Sequence, residues 1–116
     1  MDEYPEDSIQ KIAALFTDIV GSTKFFKSHG DLAGRQMLQV HQDVASGCIT
    51  EHGGVLVKIL GDSVTAYFLN AKETLKSAIK IQQKLETHNR KRDPQNQIHI
   101  KIGIHCGHGI IEDNDI

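Results

Sequence analysis

The stretch that most constrains this chain is Ile12-Ala-Ala-Leu-Phe-Thr-Asp-Ile-Val-Gly-Ser-Thr-Lys24. Its first nine residues are rich in β-branched and aromatic side chains. They read as a strand, with Ile12, Ala14, Phe16 and Asp18 sharing one face by the period of two. The strand therefore delivers a single carboxylate, Asp18, to its end. Gly21 breaks it, and Ser22 or Thr23 can cap a helix starting near Lys24. Backbone N–H groups at a glycine turn that opens a helix form an anion site. An acid beside such a site makes chemical sense when a divalent cation lies between the acid and a phosphate. From this segment alone, a buried strand, a helix cap and a solvated aspartate would read the same way.

The bulk properties narrow the class. A chain of 116 residues fits one domain with a modest core, and we assign residues 1–10 to a flexible tail and 11–116 to the domain. A net charge of -2 argues against duplex nucleic acid as a partner. No apolar segment is long enough to span a bilayer, and the acidic opening Met-Asp-Glu-Tyr-Pro-Glu-Asp is unlike a signal peptide. Two cysteines, Cys48 and Cys106, supply no disulfide framework, so a cytoplasmic, reducing setting is expected.

Further along, residues 24–28 read as a short helix closed by Gly30. Residues 31–52 carry Met37, Leu38, Val44, Ala45, Cys48 and Ile49 on one stripe, which marks an amphipathic helix ended by Gly53-Gly54. His41 and Cys48 fall on its apolar side and read as core. Residues 55–60 and 63–69 are two strand-like runs joined by Gly61-Asp62, the signature of a type II′ hairpin. A helix follows over residues 71–88, with Ala71, Leu75, Ala78, Ile79, Gln82 and Leu85 as its expected buried stripe, and Pro94 lies beyond its end. Ile98, Ile100, Ile102 and Ile104 alternate along a strand, and after Gly107 and Gly109 a separate strand is expected at Ile110-Ile111. His99, His105, Cys106 and His108 lack the paired spacing of a zinc site. The order β-α-α-β-β-α-β-β, with one-sided helices and an antiparallel hairpin, predicts an α+β ferredoxin-like sheet with helices on one face.

In that fold the strand carrying Asp18 and the hairpin carrying Asp62 are central neighbours, so the two acids can meet on one edge. Two carboxylates near a phosphate-cradling turn suit a pair of Mg²⁺ or Mn²⁺ ions, which take few protein oxygens and share substrate phosphates. Two such ions stabilise the attacking and leaving oxygens of an in-line displacement. Gly21-Ser22-Thr23 is not a P-loop, because the G-x-x-x-x-G-K-[ST] pattern is absent. Metal-dependent nucleotidyl transfer fits better.

Three motifs, Leu15-Phe-Thr-Asp-Ile-Val-Gly-Ser-Thr23, His52-Gly-Gly-Val-Leu-Val-Lys-Ile-Leu-Gly-Asp62 and Ile102-Gly-Ile-His-Cys-Gly107, stand in an order that resembles the catalytic domain of class III nucleotidyl cyclases. The resemblance runs from about Ala13 to the last residue. It implies that Asp18 and Asp62 bind two metal ions and that Ile19 adds a backbone carbonyl to one of them. It also implies that Gly21, Ser22 and Thr23 hold the triphosphate and that Lys58 and Asp115 read the base. A head-to-tail homodimer is implied, with metal residues from one chain and base-reading residues from the other. The expected reaction is conversion of ATP to 3′,5′-cyclic AMP and pyrophosphate. Adenine presents an acceptor at N1 and a donor at N6, to which a cationic donor and an anionic acceptor are complementary; guanine would want the opposite signs.

The resemblance departs from the family at its end. In the family a helix bearing an Asn and an Arg follows the Asp-Ile pair, and that helix is not among these 116 residues. We therefore expect a partial cyclase domain, inactive by itself and liable to a non-native dimer through surface the helix would cover. The alternatives are a non-catalytic nucleotide-binding or dimerisation module and a guanylate cyclase. A diguanylate cyclase would show a Gly-Gly-Asp-Glu-type turn where this chain has Gly61-Asp62-Ser63.

Overall fold

The computed structural model describes residues 9–112. Strand β1 (Ile9–Ile19) leads into a long helix α1 (Ser22–Glu51), then the hairpin β2 (Val55–Leu60) and β3 (Ser63–Phe68), helix α2 (Ala71–Asn89), a 3₁₀ turn at Pro94–Asn96, and β4 (Ile100–Ile110). The sheet order is β2-β3-β1-β4, with antiparallel pairing throughout. This is the expected α+β architecture, with the acid-bearing strand and hairpin side by side. β1 starts at Ile9, so Ile9 and Gln10 belong to the sheet and not to a tail.

The break expected between helices over 24–28 and 31–52 is present: within the span of α1, Gly30 has φ 85° and ψ 175°, a non-helical conformation that separates a short first segment from a long second one. Glycine takes this conformation without the Cβ clash other residues meet. At the other end of α1, Gly53 has φ 80°, and a Cβ on Gly54 would lie 2.6 Å from the Phe68 ring. Gly54 is what lets the chain turn closely over that ring. Phe68 is itself only 2 % exposed, and truncating it to Ala would cost about 3–5 kcal/mol.

Both helices cover one face of the sheet. Leu15, Thr17 and Ile19 of β1 and Val64, Ala66 and Phe68 of β3 meet Met37, His41, Ala45, Cys48 and Ile49 of α1 and Ala78, Ile81 and Leu85 of α2. The stripe expected on α2 is rotated. Its buried residues are Thr74, Ser77, Ala78, Ile81, Leu85 and Asn89, whereas Leu75 and Ile79 are about half exposed. Burying Thr74 leaves no orphan donor, because its hydroxyl donates to the carbonyl of Asn70, the cap residue of α2, at 2.9 Å. Small residues on this side let α2 seat closely on the sheet.

β4 also departs from expectation, being one continuous strand across Gly107 and Gly109. Its second half is held by the first residues of β1, in the pairs Gly107↔Ile12, Gly109↔Gln10 and Ile110↔Ile9. Glycine weakens a strand interior, but a partner strand already in place supplies the ladder. Ile98 and Ile100 are buried, and Ile104 remains 40 % exposed. Among the described residues no helix lies over the other face of the sheet, which carries Phe16 and Asp18, and Phe16 is 46 % exposed there.

Candidate active site

Asp18 lies one residue before the end of β1, on the open face, directly opposite Ser63 at the start of β3. Asp62 sits in the two-residue turn just before Ser63. Its carbonyl accepts the N–H of Ile19 at 3.1 Å, which extends the β1–β3 ladder by one bond. The two acids are thus fixed at one corner by backbone pairing. Gly61 makes the turn possible with φ 53°, in agreement with a glycine-first hairpin. The Ile19 side chain is buried at 4 % exposure, leaving its carbonyl as the one group it can offer a metal.

The helix start differs from expectation. Neither Ser22 nor Thr23 caps α1; the cap position is Gly21, left-handed at φ 71° and ψ 27°, with no side-chain hydrogen bond to the first turn. The Ser22 hydroxyl instead donates to Oδ2 of Asp62 at 2.5 Å. The first N–H groups of a helix have no partner within the helix. Here they remain without a side-chain cap beside Asp62, which is the arrangement an anion such as a phosphate would use.

Lys58 lies opposite Thr65 and is exposed. Its face is decided by an irregularity. Leu56 pairs with Ala66 and Lys58 with Thr65, so Val57 is an extra residue, a β-bulge. Ala66 faces the helices and Thr65 the open side. Strict alternation would have put Lys58 on the helix side with Leu56; the bulge turns it to the face of Asp18. The two residues stand on β2 and β1 with β3 between, and Lys58 is level with Phe16, two residues short of Asp18, so their positions are about 12 Å apart. Lys101 of β4 is directly opposite Asp18, a neighbour that sequence reasoning missed because register is not written in a single strand. Asp115 lies outside the described residues.

Behind the sheet, Thr17 Oγ1 and His41 Nε2 are 2.7 Å apart, and both residues are fully buried. Burial pushes the His41 pKa below the ordinary histidine value, against a smaller upward pull from Asp62 and then Asp18. His41 is thus core, as its helical position predicts, and it is also close to both acids.

Among the described residues no cluster of three or more His, Cys, Asp or Glu could hold a metal. A pair of carboxylates with a carbonyl fits Mg²⁺ or Mn²⁺, which complete their shells with water and substrate phosphates, and does not fit a thiolate–imidazole zinc centre. Among the described residues, no helix is long and apolar enough to cross a membrane.

Comparison with known proteins identifies the fold and the family. Residues 4–113 match the sequence model of the adenylate and guanylate cyclase catalytic domain. A bacterial light-regulated adenylyl cyclase superposes with a TM-score of 0.81 at 16 % identity, over 92 % of this chain and 66 % of that one. An adenylate/guanylate cyclase/hydrolase from Silicibacter pomeroyi gives 0.74 at 29 % identity, over 92 % of this chain and 62 % of that one. The guanylyl cyclase Cya2 gives 0.73 at 18 % identity, over 91 % and 66 %. The chain thus spans slightly less than two thirds of the length of each of these structures. No curated protein sequence matches it. With a family match over nearly its whole length, and a sheet that brings the two motif aspartates to one corner, the chain belongs to the adenylate and guanylate cyclase catalytic domain family.

Proposed function

We propose that the chain is the metal- and triphosphate-binding part of an adenylate cyclase domain, which converts ATP to 3′,5′-cyclic AMP and pyrophosphate. The observation that carries this reading is the meeting of Asp18 and Asp62 beside the first turn of α1, which has no side-chain cap. In this reading Asp18, Asp62 and the Ile19 carbonyl hold Mg²⁺ or Mn²⁺. The backbone of Gly21, Ser22 and Thr23 binds the triphosphate. Two divalent ions bound there would neutralise charge at the attacking and leaving oxygens of an in-line displacement. The ribose 3′-oxygen forms a bond to the α-phosphorus and loses its proton, while the bond from that phosphorus to the pyrophosphate oxygen breaks.

Lys58 and Asp115 read adenine as a donor–acceptor pair. The separation of Lys58 from Asp18, on one open face with β3 between them, supports a head-to-tail homodimer. In that arrangement each open face presents its acids to one nucleotide and its lysine to the other.

The test is cyclic nucleotide production by the full-length protein with Mn²⁺ and either ATP or GTP. Cyclic AMP is the expected product, and Asp18→Asn or Asp62→Asn should each lower it by about a hundredfold or more. Faster turnover of GTP would make the domain a guanylate cyclase. Binding of Mn²⁺ and nucleotide without either product would make it a non-catalytic module.

A further inference from the structure

One turn of α1 grips both acid-bearing segments from behind. His41 reaches Thr17, the residue before Asp18, through the buried 2.7 Å contact between Nε2 and Oγ1. The next residue, Gln42, donates from Nε2 to the carbonyl of Gly61, the residue before Asp62, at 3.2 Å. Adjacent helix positions thus each bind the position preceding an acid, one on β1 and one on the β2–β3 turn.

The choice of histidine at position 41 needs a reason. The site is fully buried, and among the described residues the His41 Nδ1 and the Ser77 Oγ are the buried side-chain polar atoms without a hydrogen-bond partner. An unpaired buried ring nitrogen is a penalty that an apolar side chain of similar size would avoid. Local rules broken in this way are expected where function demands it. What the imidazole supplies is the bond to Thr17, which fixes the rotation of β1 one residue from Asp18. Groups that orient a metal ligand from behind typically change metal affinity by tenfold or more when removed.

We propose that His41 and Gln42 are positioning residues, holding β1 and the Gly61-Asp62 turn so that Asp18 and Asp62 converge on one divalent-cation site. The inference rests on the reading of that acid pair as the metal site. It assigns no contact between either residue and substrate.

The experiment is titration of the chain with Mn²⁺ alone, with free Mn²⁺ followed by electron paramagnetic resonance and Tm recorded for each variant. His41→Leu should weaken Mn²⁺ binding about tenfold, and Gln42→Ala should weaken it less. His41→Gln, whose Nε2 can approach the same hydroxyl, should restore most of the affinity. Leu85→Ala, a core truncation on α2, should lower Tm without changing Mn²⁺ affinity in the folded protein. Wild-type affinity in both His41→Leu and Gln42→Ala, or an equal loss in Leu85→Ala, would overturn the inference and leave the metal site standing. If His41→Leu does not fold, His41→Gln and Gln42→Ala decide the matter: a weaker Gln42→Ala supports the clamp, and wild-type binding by it overturns the clamp. Failure of the wild-type chain to bind Mn²⁺, with Asp18→Asn unchanged from it, would instead remove the acid pair as the metal site, and this inference with it.

Discussion

The Ser22 hydroxyl donates to the Asp62 carboxylate at 2.5 Å, joining the first turn of α1 to a hairpin forty positions further along the chain. The bond couples the two parts of the site that must be correctly placed together, the helix start and the turn acid. It also makes separate predictions for charge and for hydrogen bonding.

Ser22→Ala removes the donor and should cost about 1–2 kcal/mol, the range for a bond to a charged acceptor that is only partly buried. In a domain of this size that is a fall in Tm of roughly 5–10 °C. Asp62→Asn keeps an acceptor oxygen and should lose much less stability while losing Mn²⁺ binding. Thermal denaturation followed by circular dichroism checks both. A loss in Asp62→Asn with none in Ser22→Ala would show that the carboxylate charge, and not the bond, joins the segments.

Lys58→Glu should narrow or reverse the preference of the full-length protein for ATP over GTP. It replaces a donor at the base pocket with an acceptor, and one misplaced bond there costs about 1–3 kcal/mol. The ratio of kcat/KM for the two nucleotides should therefore change by roughly tenfold or more. An unchanged ratio would show that Lys58 does not read the base.

His41 predicts acid sensitivity. Burial holds its folded pKa below the ordinary value, so below about pH 6.5 the unfolded chain takes up a proton that the folded chain resists. Stability is complete above that pH and falls as the pH drops, by at most about 1.4 kcal/mol per pH unit for this one group. His88 acts in the same direction, through burial and then Arg92. Urea unfolding between pH 7.5 and 5.5 should show the loss, and His41→Leu should flatten it without abolishing it. An identical slope in His41→Leu would mean that His41 carries none of the effect.

The two thiols should react at different rates. Cys106 is exposed on β4, whereas Cys48 is buried in α1 and burial raises its pKa. Iodoacetamide should modify Cys106 in the native protein, with Cys48 slower by on the order of a hundredfold or more because it must wait for local opening. Mass spectrometry over a time course resolves the two. Comparable rates would mean that α1 does not stay packed on the sheet.

The isolated 116-residue chain should make negligible cyclic AMP. The family resemblance implies an Asn and an Arg that meet charge developing in the transition state, on a helix these residues do not include. Losing one such donor typically costs on the order of a hundredfold or more. Production by the isolated chain within tenfold of the full-length protein would show that helix to be dispensable.

The features legible in the sequence are those set by neighbours along the chain. The run ending in Asp18, the Gly21 break and the Gly61-Asp62 turn each announce themselves within a few residues, and the antiparallel sheet follows from their order. What was not legible depends on partners distant in sequence. Which side of α2 is buried is set by the sheet beneath it, so Thr74 and Ser77 go in while Leu75 and Ile79 stay out. β4 continues through Gly107 and Gly109 because β1 lies alongside. The Ser22 hydroxyl leaves its own helix for an acid that only the fold brings near.

The extra residue at Val57 bears on how such a domain could change its nucleotide. Moving the bulge past Lys58, so that Val57 and not Lys58 pairs with Thr65, would swing Lys58 from the open face toward the helices. The lysine would remain in the sequence, next to the same neighbours, yet be removed from any nucleotide on the open face. Under the proposed reading, a one-residue shift of the bulge can therefore erase base selection as completely as a substitution. Related chains compared by residue type alone, without strand register, would not reveal which of them had lost it.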